Sequence, residues 1–498
     1  MLEINFITKT IKNSGEFIAV QIDGNSYLFQ LTKYSLLQKL KGPHRSFIDV
    51  SVLYNSDTQK IVVSRGPNPS PQIFFQFLNR VLRITSSPDS YLSNISISAI
   101  SRGGLFDFLA HSLIVGVNDA KFTPFSVLSA WEGIADQTRV TFEENRLVAN
   151  HSVYDTIWSK YTPHIEKPDD LVYKCRNAAT KYIAALSAVG CLSSEISGGI
   201  DSGIVSMLAK KTRNFRGAIT IPYPFREFER ERKYRSLVTD YLDRQILELN
   251  WRECLPFSHS DAATCGPTLA AGSLKFFQLS LEASRSLNAS IHLTGHGGDR
   301  LFRVDPNARL PAPKLNKIPS WSGKSFVETL EASINSTLRA FNKRESENAL
   351  SWNPSLFHVG PQEFNFEHSI YISGLISPAL IYALRDLHLV HPLLQSDLQK
   401  PLAAKIFGDL LPPAVFTRPG KVDHLGTVVR GAIVNREEIL NRIKTGGIIL
   451  DLLAIDNRAF INYAEEICSG RREAEWFFSA IMAILVWYTN ALRFISVS

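Results

Sequence analysis

From Ile4 to about Val153 apolar and polar positions alternate over short stretches separated by turn residues, and a period of two belongs to strands. Phe17 to Ile22 and Ser26 to Phe29 flank Asp23-Gly24-Asn25, while Asp49 to Tyr54 and Lys60 to Arg65 flank Asn55-Ser56-Asp57-Thr58, so each pair reads as a hairpin. After Val153 the period lengthens. Asp169 to Leu186 carries apolar residues at helical spacing, and helices then alternate with short apolar strands to about residue 295, an order that predicts a parallel sheet covered on both faces. Beyond Pro311 the pattern is mostly helical, broken at Ser351 to Pro361 and at Leu411-Pro412-Pro413. The apolar run from Trp476 to Val486, extended loosely to Ile495, includes Ser479, Asn490 and Arg493 and falls short of the roughly 20 uninterrupted residues a bilayer requires. It reads as a buried terminal helix, with no membrane span.

The chain has 498 residues, 45% hydrophobic and 20% charged, enough for two or three cored domains at roughly 150 residues each. Disorder and a small disulfide scaffold are thereby excluded. The 54 Lys and Arg exceed the 47 Asp and Glu by seven, a mild excess that suits phosphate-bearing ligands without requiring nucleic acid. Five dispersed cysteines, with no C-x-x-C pair, argue against both a disulfide framework and a thiolate zinc site. Together with the absence of a basic and apolar leader after Met1, this points to the cytoplasm.

The sharpest chemistry is Glu195-Ile196-Ser197-Gly198-Gly199-Ile200-Asp201-Ser202-Gly203, which follows an apolar strand (Val189 to Ile196) and opens an apolar helix. Gly198 and Gly199 let the backbone approach a ligand, successive N–H groups point into the turn, and the helix start adds about half a positive charge. Phosphate is the natural guest. Ser197 and Ser202 can donate to it, whereas Asp201 would repel it unless a divalent cation stood between them, which argues for Mg²⁺. The plainer alternative is a strand-to-helix turn that uses glycine for geometry and Ser or Asp as a cap.

Ser-Gly-Gly-Ile-Asp-Ser resembles the pyrophosphate loop of the ATP pyrophosphatases, which cleave ATP to AMP and pyrophosphate. Gly323-Lys324-Ser325 looks like a Walker fragment, but Ile318 stands where the first glycine belongs. A second match, Ile291 to Phe302, contains Gly295-His296-Gly297-Gly298-Asp299 and resembles the Gly-Glu-Gly-Ala-Asp-Glu-Leu-Phe segment of asparagine synthetases. The resemblance implies that Asp201 and Asp299 share the Mg²⁺ on the pyrophosphate, with Gly297 and Gly298 lining it and His296 as a possible contact to substrate or nucleotide. Arg300 replaces the glutamate of that family.

Asp49 to Phe75 and Trp131-Glu132-Gly133-Ile134 resemble the glutamine-amidotransferase domain of the same enzymes. That domain needs a cysteine after the initiator methionine as nucleophile, and residue 2 is Leu, so the resemblance implies a degenerate domain. The expected architecture is an α+β amidotransferase-like sandwich over residues 1–155. An α/β ATP-pyrophosphatase domain with a parallel sheet and helical additions follows over 156–498.

Loss of the glutaminase with retention of the synthetase leaves β-lactam synthetase-like enzymes and lasso peptide cyclases. The Gly-His-Gly-Gly-Asp form and the tail Thr417-Arg418-Pro419-Gly420-Lys421-Val422-Asp423-His424 resemble the cyclases. That likeness implies adenylation of an Asp or Glu side chain of a leader-cleaved precursor by ATP, then attack by the peptide's own α-amine. Lys421 would stabilise the oxyanion of the tetrahedral intermediate. The precursor core peptide, a leader peptidase and a leader-recognition protein are the implied partners. The general base is not placed: Tyr371, Tyr382 and Asp386 lie in the right stretch without standing out. At His391-Pro392-Leu393-Leu394 the aspartate of asparagine synthetases is missing and Gln395 follows, so no role is carried there. The rivals are a β-lactam or asparagine synthetase-like ligase on a small substrate, an RNA-modifying pyrophosphatase, which usually carries the C-x-x-C or loop cysteine lacking here, and a non-catalytic scaffold.

Overall fold

The computed structural model describes residues 1–23, 25–31, 50–65, 73–93, 96–115, 126–134, 138–143, 146–152, 167–268, 272–302, 321–347, 370–375, 377–390, 400–418, 425–472 and 476–494. Both expected hairpins are present, as Phe17–Asp23 with Ser26–Leu31 and Val50–Asn55 with Lys60–Arg65, each antiparallel. They form the middle and one edge of a six-stranded sheet completed by Thr138–Glu143 and Arg146–Ser152. A second antiparallel sheet runs in the order Thr10–Asn13, Leu2–Asn5, Val81–Thr85, Phe74–Leu78 and Glu132–Gly133.

Alternation decides how these sheets pack. Leu2, Ile4, Phe75, Leu82 and Ile84 from one sheet share a core with Val52, Tyr54, Ile61, Val63, Val140 and Phe142 from the other, and the rings of Phe75 and Phe142 meet edge to face at 4.9 Å. Phe74, one residue out of phase, turns the opposite way onto Tyr91 at 4.1 Å. Beyond it, helix Arg102–Val115 packs on helices Lys324–Glu347 and Trp476–Ala491 within a second apolar core. The sandwich is therefore seated on helices from the far end of the chain.

The terminal run folds as expected. Phe477–Phe494 is long and apolar enough to cross a membrane by length and composition, but 72% of that window is buried, and Phe478, Ile481, Met482 and Leu485 are fully enclosed. Buried Arg442 fixes it by donating to Asn490 Oδ1 at 2.9 Å and Thr489 Oγ1 at 2.5 Å.

The 3.6-residue pattern gives helix Pro168–Val189, and the alternation after it gives a five-stranded parallel sheet. Its spatial order is Ile246–Glu248, Phe215–Thr220, Leu192–Glu195, Ile291–Thr294 and Ile370–Ser373. The fifth strand lies in the stretch the sequence pattern gives as mostly helical. The expected apolar strand Val189 to Ile196 shortens to Leu192–Glu195, because helix Pro168–Val189 continues to its first residue. Two of its four residues are buried serines. Each is satisfied: Ser193 Oγ bonds Ser284 Oγ at 2.7 Å and His292 Nδ1 at 2.9 Å, and Ser194 Oγ bonds Ser206 Oγ at 2.8 Å.

Candidate active site at the switch of strand order

From Leu192–Glu195 the chain adds strands outward on one side, Phe215–Thr220 then Ile246–Glu248, and afterwards returns to the other side with Ile291–Thr294 and Ile370–Ser373. The crossovers diverge between the first and fourth of these strands, and beyond the carboxyl ends at such a switch is where open α/β sheets bind ligands. Both glycine turns found in the sequence lie there.

The first turn locks onto itself. Gly198 has φ of 85°, a left-handed conformation that glycine adopts without strain, and a Cβ there would stand 2.8 Å from Glu231 O. The Ser197 and Ser202 hydroxyls bond at 3.0 Å, Ser197 N donates to Ser202 Oγ at 3.2 Å, and Gly199 N donates to Ser197 Oγ at 3.2 Å. Helix Ile200–Lys210 starts directly after Gly199, with Asp201 in its first turn. Buried Arg418 supports the turn from behind, donating to Gly198 O at 3.1 Å with its guanidinium 4.0 Å from Glu231.

The second turn is packed against the first. Gly297 has φ of 88°, and Cβ atoms at Gly295 and Gly298 would run into Ser202 N and the Asp201 carboxyl group respectively. This close approach requires glycine. Asp299 follows in the short helix Gly298–Leu301, and Ser373 from the fifth strand donates to His296 O at 2.6 Å.

The two acids converge on Lys400, whose ammonium ion-pairs with Asp201 Oδ2 and lies 2.8 Å from Asp299 Oδ1. Burial pushes the Lys400 pKa down, but the two carboxylates outweigh it and hold the ammonium above its ordinary value. Lys400 is therefore charged at neutral pH. Two carboxylates thus close on one ammonium. Carboxylate oxygens that close on one ammonium are hard ligands of the kind Mg²⁺ takes, and they fit that ion. Among the described residues no group of three or more His, Cys, Asp or Glu is placed to hold a metal. A metal here would complete its shell with substrate phosphates and water, as Mg²⁺ commonly does.

Beside the turns lies a polar group in which Tyr371 and His292 are buried and Glu195 and His296 half-buried. Tyr371 OH is 3.4 Å from both Glu195 Oε2 and His296 Nδ1, and its ring lies 5.4 Å from His292 and 5.8 Å from His296. Burial and the neighbouring Glu195 carboxylate push the Tyr371 phenol well above its usual range. Burial, aided by His296, pushes His292 down to about 3.

Of the residues singled out by sequence, Ser197, Gly198, Gly199, Asp201, Ser202, Gly297, Gly298 and Asp299 meet in one place, and His296 adjoins them. Lys421 and the His391 to Gln395 segment lie outside the described residues, as do the side chains of Arg300 and Tyr382. Lys400 and Arg418 were not anticipated as site residues. Their only sequence signal is a basic residue beside a proline, Lys400-Pro401 and Arg418-Pro419, which is too common to single out either.

The model of the asparagine synthase family matches residues 184–371, a stretch that contains both glycine turns and four strands of the parallel sheet, reaches the start of the fifth and ends before Lys400. No curated protein matches the chain. The region that carries the two acids is thus asparagine synthase-like, and the activity this supports is ATP-dependent amide-bond formation.

Proposed function

We propose that the protein closes a macrolactam in lasso peptide maturation. It adenylates an Asp or Glu side chain of the leader-cleaved precursor, and the peptide's α-amine then forms the isopeptide bond. The observation that carries this reading is the meeting of Asp201 and Asp299, from separate glycine turns, on one cationic point where strand order reverses. A departing diphosphate needs backbone donors and positive charge at that point, which a cation shared by the two acids would supply.

In the first step a substrate carboxylate oxygen attacks the α-phosphorus of ATP, and the bond to the β-phosphate oxygen breaks. Asp201 and Asp299 would hold Mg²⁺, which would supply positive charge to the diphosphate. The start of helix Ile200–Lys210 presents N–H groups to it, and the Ser197 and Ser202 hydroxyls, which bond each other at 3.0 Å, would turn to donate to it. Lys400, held charged by the two acids, would be available to pair with phosphate. In the second step the amine nitrogen bonds to the activated carbonyl carbon, the proton leaves the nitrogen, and AMP departs with the electron pair. Lys421 stabilises the oxyanion. Holding both ends of one peptide together replaces a bimolecular encounter, which is worth ~7 kcal/mol or more of barrier.

The N-terminal half fits the role of a degenerate amidotransferase domain, since the position of the nucleophilic cysteine is Leu2, fully buried in strand Leu2–Asn5. Ammonia from glutamine is then not the nucleophile. A cytoplasmic setting with a leader peptidase and a leader-recognition protein follows from the same reading. The alternative, a β-lactam or asparagine synthetase-like ligase on a small substrate, is favoured by the asparagine synthase match alone. The test is incubation with ATP, Mg²⁺ and a leader-cleaved precursor. A product lighter by one water together with AMP supports the cyclase. AMP only with a small amino-carboxylate substrate selects the alternative, and ADP overturns both.

A further inference from the structure

We propose that Glu195 and Tyr371 act on the reaction through His296, as positioning residues that fix which imidazole nitrogen carries the proton. Tyr371 OH lies 3.4 Å from Glu195 Oε2 and 3.4 Å from His296 Nδ1. A phenol has one hydrogen to donate, and an ionised carboxylate can only accept. The Tyr371 hydroxyl hydrogen therefore goes to Glu195, and the phenol oxygen is left to accept. The oxygen's other neighbours are the Thr294 hydroxyl, which also bonds it, and His296 Nδ1; with the phenol hydrogen spent on Glu195, the Nδ1 that faces the oxygen is a donor. With the proton on Nδ1, Nε2 carries the lone pair.

The surroundings hold this arrangement in place. Tyr371 is 7% exposed, stands on the edge strand of the sheet, and packs edge to face on Phe277 at 5.2 Å. Ser373, two residues on along the same strand, donates to His296 O at 2.6 Å, and His296 N donates to Thr294 Oγ1 at 3.3 Å, so the backbone of His296 is held at both ends. Glu195 ends the strand that leads into the first glycine turn, so the three residues link both turns to the fifth strand.

The consequence rests on the ligase reading above. When the amine bonds to the acyl carbon and AMP leaves, the ammonium-like nitrogen sheds one proton, and His296 Nε2 takes it. The imidazolium so formed keeps Nδ1–H on the Tyr371 oxygen, with the Glu195 charge behind it. The proton that makes the α-amine an ammonium, with an ordinary pKa of ~8, leaves to solvent before the attack.

The test reads the imidazole directly, without ATP or peptide. In uniformly ¹⁵N-histidine-labelled full-length protein at pH 8, with His296→Ala used to assign the signal, the His296 resonances should be those of the Nδ1–H tautomer. Tyr371→Phe keeps the ring and removes the hydroxyl, and should shift them to a tautomer mixture. Glu195→Gln should do so in part, because an amide can donate to the phenol and turn its hydrogen towards Nδ1. If Tyr371→Phe fails to fold, the wild-type spectrum and Glu195→Gln still decide the matter. An Nε2–H tautomer in the wild-type protein, or tautomer signals unchanged in a folded Tyr371→Phe or Glu195→Gln variant, overturns the proposal. Either result would leave the ligase reading standing, because that reading is tested by its products.

Discussion

Lys400 Nζ lies 2.8 Å from Asp299 Oδ1 while the same nitrogen binds Asp201, so one ammonium holds together the ends of two glycine turns. Two carboxylates brought this close repel each other unless a cation lies between them, and Lys400 supplies that cation. Lys400→Met should therefore destabilise the protein by about 2 kcal/mol, below the range for breaking a fully buried pair because the Asp299 side chain is 59% exposed. Millimolar Mg²⁺ should restore more of the melting temperature in the variant than in the wild-type chain, because the metal no longer competes with the lysine. Equal Mg²⁺ responses in thermal melts of the two proteins would rule out a shared cation point.

Asp201 and Asp299 contribute charge rather than shape, and Asn is close to isosteric with Asp. Asp201→Asn and Asp299→Asn should each lower ATP-dependent AMP release by about a thousandfold, a loss of roughly 4 kcal/mol of transition-state stabilisation. Melting temperatures should stay within a few degrees of the wild type. Activity in either variant within tenfold of the wild type, measured by AMP formation under saturating Mg²⁺, would remove that acid from the chemistry.

Gly298 lies so close to Asp201 that an added methyl group would overlap the carboxyl carbon. Gly298→Ala should push the two turns apart and cost about 1–3 kcal/mol in stability, within the range for overpacking a close contact. The loss of AMP formation should be larger in free-energy terms than the loss of stability, because the displaced group is Asp201 itself. Gly323→Ala, where a Cβ would stand 3.2 Å from Ala454 O and far from the acids in sequence, serves as the control. Denaturant unfolding alongside the AMP assay separates the two effects.

The two acids were legible because each sits in a glycine turn whose local chemistry demands those residues: Gly198 for its left-handed φ, Gly295 and Gly298 for the approach of one turn to the other. The strands of the sandwich were legible from alternation with turn residues between them. Lys400 was not, because nothing local requires a lysine before Pro401, and its role exists only once the switch of strand order brings three segments together. Tyr371 stood in the expected stretch without distinction for the same reason: its partners Glu195 and His296 come from two other strand ends. Strand Ile370–Ser373 was missed because four residues of Ile-Tyr-Ile-Ser give too short a run to establish a period, and its strand identity comes from pairing with Ile291–Thr294.

His292 predicts how stability responds to acid. Its ring is fully buried on the strand that leads to the second turn, Nδ1 bonds Ser193 Oγ at 2.9 Å, and burial holds its pKa at about 3, below the ordinary 6.5. For a histidine lowered in this way, the unfolded chain binds a proton below pH 6.5 that the folded chain refuses until about pH 3. Its contribution is therefore complete above pH 6.5 and is lost progressively as pH falls towards 3, by up to about 1.4 kcal/mol per pH unit. His292→Leu cannot take up that proton in either state. Urea unfolding at pH 7, 6, 5 and 4 should give a shallower decline for the variant than for the wild-type protein, by close to one proton's worth of slope between pH 6 and 4. Its stability at pH 7 should be lower, since the Ser193 hydrogen bond is lost, so the two curves should converge or cross on the acid side. Parallel curves would mean that His292 is protonated in the folded protein, and that the polar group beside the glycine turns carries a charge.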